Sequence, residues 1–129
     1  MLGRKAKNTI DSLIGLATVI EGNIHFRGGL RIDGHVKGNV IADGEEPGIL
    51  VISEQAKVEG EVRVAQLVVN GEIIGQVHCS ELLELQPKAR ITGDVYYKAL
   101  EMHGGALVSG KLTYEQADEP VLKLAMSNT

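Results

Sequence analysis

The sequence predicts an all-β fold: a parallel β-helix (solenoid) of about six rungs, with short tails at both ends. Three observations carry that expectation. The unit apolar-x-Gly-x-apolar occurs six times, and its glycines are separated by 16, 22, 15, 18 and 17 residues. Around those glycines apolar residues recur two apart, which places them on one face of a strand and not on a helix. The composition is 43% hydrophobic but only 3% aromatic. An interior a few side chains wide accepts stacked Val, Ile and Leu and excludes most rings.

Taken in order, residues 1–15 read as an N-terminal tail. Arg4, Lys5 and Lys7 lie there with no acid among the first eight residues, whereas the whole chain has a net charge of −4. A basic segment on an acidic body is where an anionic partner is expected to be met. The stretch from Thr9 to Ile20 does not read as a signal sequence, because Asp11 and Ser12 interrupt it and no small-residue cleavage site follows.

Residues 16–114 read as the β-helix. Its glycine units are Ile20 to Ile24, Val36 to Val40, Val58 to Val62, Ile73 to Val77, Ile91 to Val95 and Val108 to Leu112. Between them lies a second apolar pair, Leu30/Ile32, Leu50/Ile52, Leu67/Val69, Leu83/Leu85 and Leu100/Met102. Isolated glycines within such strands mark corners. The one long step coincides with Asp43-Gly44-Glu45-Glu46-Pro47-Gly48, a loop thrown out from a regular coil. Beside the glycines, Glu21 opposes Lys37 and Lys37 opposes Glu59 on successive rungs, an arrangement expected to favour this register. Six rungs at the usual strand spacing give a solenoid about 30 Å long. Residues 115–129 read as a C-terminal tail, in which Val121 to Met126 form a short apolar stretch that docks on a partner or folds over the last rung.

A rung cannot satisfy its own backbone, so the first and last rungs present open strand edges, which template further pairing. Solenoids that remain monomeric carry caps with a polar outer face, and neither tail reads as one. End-to-end stacking into filaments is therefore expected. The candidate end residues are Ile20, Ile24 and Phe26 at one end and Leu100, Met102, Val108 and Leu112 at the other; ordinary core is the competing reading for each.

Other chemistries find little support. Single-strand nucleic-acid binding needs aromatic platforms and a positive groove. No Gly-x-x-x-x-Gly-Lys-Ser/Thr loop is present, so no nucleotide site is expected. Cys79 is the only cysteine, which excludes a disulfide framework and a cysteine zinc cluster; it reads as a small buried hydrophobe. His25, His35, His78 and His103 all flank inward residues and so point outward. His25 and His78 share a repeat position three rungs apart, about 14 Å, and cannot hold one metal. No catalytic, cofactor or metal residue is assigned, and the chain reads as a non-enzyme. No apolar run approaches the roughly 18 residues of a membrane span, so a cytoplasmic location is expected. One rival is a left-handed β-helix trimeric acyltransferase, whose aliphatic residue every six positions is not the period seen here. A non-polymerising adaptor using the acidic outer face is another.

The stretches Ile10-Asp11-Ser12-Leu13-Ile14-Gly15, Thr18 to Ile24 and Gly29 to Val40 resemble the opening rungs of the bactofilins, bacterial polymer-forming cytoskeletal proteins, and the later rungs extend the match to about Leu112. The resemblance implies a right-handed β-helix that assembles without nucleotide into filaments lacking polarity. It also implies a membrane-associated scaffold at the inner membrane that positions peptidoglycan synthesis or remodelling proteins and affects cell shape. Lack of polarity has a simple account: first rung meeting first rung and last meeting last are both two-fold contacts, yet alternating them gives an open filament. Family members often carry a Phe in the last rung at a position important for polymer contact; Val108 stands there in this chain. They often begin with Met, a bulky apolar residue and a nearby base, and touch the membrane with that stretch. Met1, Leu2, Arg4, Lys5 and Lys7 match it. Each base near an anionic leaflet is worth about 1 kcal/mol, and burying Leu2 adds about 1.5–3 kcal/mol. One tail binds weakly; a filament displaying many gains avidity.

Overall fold

The computed structural model describes residues 10–116. Among them are sixteen strands and no helix. The strands wind into six turns, each with three faces, and every pairing between turns is parallel. Two strands, Val62–Val69 and Val77–Leu85, run through a corner and serve two faces each. A single turn can neither pair its own backbone nor close its own core, so each is stabilised by the turn before and the turn after.

The first face stacks Leu30, Leu50, Leu67, Leu83 and Leu100 in one column and Ile32, Ile52, Val69, Leu85 and Met102 in the next. The second face stacks Ile20, Val36, Val58, Ile73, Ile91 and Val108. The third stacks Ile24, Val40, Val62, Val77, Val95 and Leu112. These columns form the buried core, and among the described residues no polar or charged side chain is buried with them. A further inward position pairs Phe26 with Ala42, Val64 with Cys79, and Tyr97 with Tyr114. Rings occupy it in the first turn and in the last two, at Phe26, Tyr97 and Tyr114; the small or aliphatic Ala42, Val64 and Cys79 fill it in the middle.

The expected boundary between tail and β-helix after residue 15 is displaced. Ser12–Ile14 is already a strand of the first face, in register with Leu30 to Ile32. Ser12 stands where every later turn has an apolar residue, so alternation does not mark this strand. Asp11 secures the entry, its backbone N–H donating to the Gly29 carbonyl and its carboxylate accepting the Gly29 N–H at 3.0 Å. The last strand ends at Tyr114.

The corner glycines are required by close approach between turns. A Cβ on Gly38, Gly60, Gly75, Gly93 or Gly110 would occupy the space of the carbonyl oxygen of the preceding glycine in the same series. The residues that follow these glycines add a ladder that apolar periodicity does not reveal. The side-chain oxygen of Asn23 accepts the Asn39 N–H at 2.9 Å, that of Asn39 accepts the Glu61 N–H at 2.8 Å, and that of Asp94 accepts the Lys111 N–H at 3.0 Å. A short side chain ending in an acceptor satisfies a corner donor that the strand pattern leaves over.

The Glu21–Lys37–Glu59 register is as the sequence predicts, but the close tie to Glu59 is made by a histidine. Nε2 of His35 lies 2.6 Å from Oε2 of Glu59, and Lys57 Nζ stands 3.8 Å away. The imidazole is short and stiff, whereas exposed lysines gain little by being held in one geometry. The His35 hydrogen bond, foremost, and the nearby lysines hold the Glu59 carboxyl below its usual range. Asp33 is lowered likewise, first by the Ser53 hydroxyl and then by Arg31. Carboxyls depressed in the folded state contribute stability that is present above their unfolded pKa and lost as pH falls through the folded one. Thermal melts should therefore show stability falling below about pH 4.5. Glu59→Gln should flatten part of that fall; an unchanged pH profile would remove Glu59 from the account.

Candidate functional site

The open ends of the solenoid are where its unsatisfied chemistry collects. In an interior turn each strand pairs on both sides. Within the monomer the first- and last-turn strands pair on one side only, as Ser12–Ile14 does with the second turn and Leu107–Ser109 with the fifth. Exposed large apolar residues follow the same distribution. Ile10, Leu13, Leu16 and Val19 lie at the first turn, Met102, Leu107, Leu112 and Tyr114 at the last, and only Ile74 and Leu82 in between. Unpaired strand edges flanked by apolar side chains at both ends of one rod favour association through those ends.

All seven residues singled out from sequence fall in these terminal turns. Ile20, Ile24 and Phe26 are half-buried over the first-turn end of the core, and Leu100 and Val108 are half-buried at the other. Met102 and Leu112 are 44% and 40% exposed although their columns are fully buried one turn earlier, at Leu85 and Val95. Sequence reasoning missed the more exposed members. Leu13, Leu16 and Val19 lie ahead of Ile20, where the first glycine unit begins. Tyr114 was within reach, because it follows Leu112 by two and so continues the inward alternation. Met1, Leu2, Arg4, Lys5 and Lys7, the candidate membrane contacts, lie outside the described residues, as does the apolar stretch Val121 to Met126.

The outer faces carry polar groupings. His25 and His78 are on the third face, aligned with Ile41 and Arg63 of the two turns between them, so they are three turns apart as expected. His78 stacks on Tyr96 of the next turn with ring centroids 4.6 Å apart. Glu84, Glu101 and His103 bring their ligand-type atoms within 4.8 Å of one another on the surface of the last two turns. There His103 Nε2 lies 3.2 Å from Glu84 Oε2, so the imidazole and one carboxylate already engage each other. Cys79 is buried in the third-face core, and desolvation pushes its thiol up to about 12. That makes it an unreactive packing group rather than a nucleophile.

Comparison with known proteins agrees with this geometry. A family model described as "Bactofilin: Polymer-forming cytoskeletal" matches residues 12–113. Bactofilin BacO of Myxococcus xanthus is 24% identical over 115 residues, 89% of this chain and 88% of that protein. Bactofilin BacP of the same organism is 22% identical over 107 residues, 83% of this chain but 43% of BacP. Among solved structures, a cryo-EM reconstruction of Thermus thermophilus bactofilin double helical filaments matches with a TM-score of 0.72 and 30% identity. The match covers 78% of this chain and 96% of that one. The acyltransferase alternative gains no support from these matches. Turn length in this chain also varies from 15 residues, Val62 to Val77, to 22, Val40 to Val62, where a six-residue repeat would hold it constant.

Proposed function

The chain belongs to the bactofilin family of polymer-forming cytoskeletal proteins, and from that premise we propose that it builds filaments end to end, without nucleotide and without polarity, on the inner face of the membrane. The concentration of exposed apolar residues and open strand edges at the two ends supports the end-to-end mode. The two ends differ in sequence, so each joins most simply to its own kind, and alternating two-fold joints leave the filament without direction. Ile20, Ile24 and Phe26 then belong to one joint and Leu100, Met102, Val108 and Leu112 to the other.

Attachment is assigned to the first seven residues, through Met1, Leu2, Arg4, Lys5 and Lys7. Among the described residues no helix is long and apolar enough to cross a membrane. The outer faces of the filament remain available to proteins that build or remodel peptidoglycan. Removing residues 1–7 should leave filaments intact in negative-stain electron microscopy while sharply reducing their sedimentation with phosphatidylserine vesicles. Equal sedimentation with and without these residues would refute the anchor.

A further inference from the structure

The loop Asp43 to Gly48 overhangs the third face and encloses, with the strands beneath it, an open groove of about 460 Å³. Ile41, Ala42 and Ala65 line it beside Arg63, His78 and Ser80, and Asp43, Glu45, Glu46, Glu81 and Glu115 give it an excess of carboxylates. The bases around it are already engaged or few. Arg63 pairs with Glu61, and the Arg27 side chain lies against Gly44 at the foot of the loop. Asp43 is met by His25 at 3.1 Å and Glu81 by the amide of Gln66 at 3.1 Å. Among the described residues Glu45 and Glu46 make no ion pair.

We propose that this groove holds the basic segment before Ile10, so that Arg4, Lys5 and Lys7 are shared between the acidic loop and the membrane. Two observations select this occupant. The chain enters the fold at the same corner of the rod as the loop, ahead of it. Asp11 bonds to Gly29, and the Gly28 carbonyl accepts the Ile49 N–H directly after the loop. Entry point and loop are therefore two turns, about 10 Å, apart, and the groove at Ala65 and Glu81 lies one and two turns further along the rod, about 15 to 20 Å from the entry. Nine residues span at most about 30 Å, which is ample. Charge is also complementary: residues 1–8 hold three bases and no acid, and the groove lining holds five carboxylates against one arginine. Docking stands on these residues alone; its consequence, a tail withheld from the bilayer until an anionic surface competes for it, rests on the membrane reading above.

Carbodiimide cross-linking of the full chain at low ionic strength, followed by peptide mass spectrometry, tests the docking. Lys5 or Lys7 should be joined to Glu45 or Glu46, and high salt should abolish the product. The surface pair Lys88–Glu54, with Nζ and Oε2 2.6 Å apart, is the internal control. If that pair links and the tail does not, the proposal is overturned, including the case in which a basic segment of another protein is the true occupant. Vesicle binding tests the consequence. Glu45→Gln with Glu46→Gln should tighten binding to phosphatidylserine vesicles about fivefold, the scale of two exposed ion pairs. The same charge change on the second face, Glu21→Gln with Glu72→Gln, should not. Equal effects from the two pairs of substitutions overturn the competition. A tail-to-loop link in a protein that binds no vesicles supports the docking and discards the membrane reading instead.

Discussion

Leu112→Arg leaves discrete dimers where the unaltered chain forms filaments. Leu112 continues a column whose preceding member, Val95, is fully buried, yet it is itself 40% exposed because no seventh turn covers it. In an end-to-end joint the next molecule supplies that cover. An arginine there would be buried without a partner, at a cost of about 3–5 kcal/mol, or at least a hundredfold in the affinity of that joint. The first-turn joint is untouched, so assembly stops at two subunits. Met102→Arg, on another face of the same turn, should do the same and guards against a purely local distortion at Leu112. Leu82→Arg, equally apolar and exposed but in an interior turn, should still polymerise. Electron microscopy and light scattering distinguish these outcomes. Unaltered filaments from both last-turn variants would show that the joint lies elsewhere.

Much of this architecture was legible because each turn repeats one physical problem. An inward residue must be apolar and must stack on the same position a turn away, so alternation of period two at a longer period near 17 reports both the strand and the coil. The glycines were legible for a harder reason, since their corner has no space for a Cβ. What escaped detection did not repeat. Ser12 breaks the apolar column at its first member, so the opening strand passed for tail. The corners within Val62–Val69 and Val77–Leu85 carry no glycine, so three faces could not be told from two. The loop was marked by its composition, but the groove depends on Val64 and Ala65 from the turn it overhangs. End residues were found only as far as the repeat reached, which included Leu112 and omitted Leu13 and Leu16.

Gly75→Ala tests the corner stack, and its expected effect on folding is large for a single added methyl group. Gly75 has φ near +149°, and a Cβ there would occupy the space of the Gly60 carbonyl oxygen. The strained conformation costs about 1–3 kcal/mol. The overlap adds about 1–3 kcal/mol, because the fourth turn must lift away from the third or the backbone must shift. Against a typical total of about 5–15 kcal/mol, the sum unfolds a large share of the molecules. Gly22→Ala is the matched comparison. Its φ is +135°, so the strain is similar, but nothing lies within 4 Å of the added carbon. Each later glycine in the series would direct its Cβ at the turn before it, so at Gly22 the methyl group points off the first-turn end of the rod. Measured by denaturant unfolding in the Leu112→Arg background, where polymer does not mask stability, Gly75→Ala should cost more than Gly22→Ala by about the overlap term. Equal losses would mean that backbone conformation alone, and not contact between turns, dictates glycine at these corners. In the otherwise unaltered chain the order should reverse for assembly per folded molecule. Gly22→Ala leaves the fold largely intact and places its methyl group where the next subunit's first turn must approach.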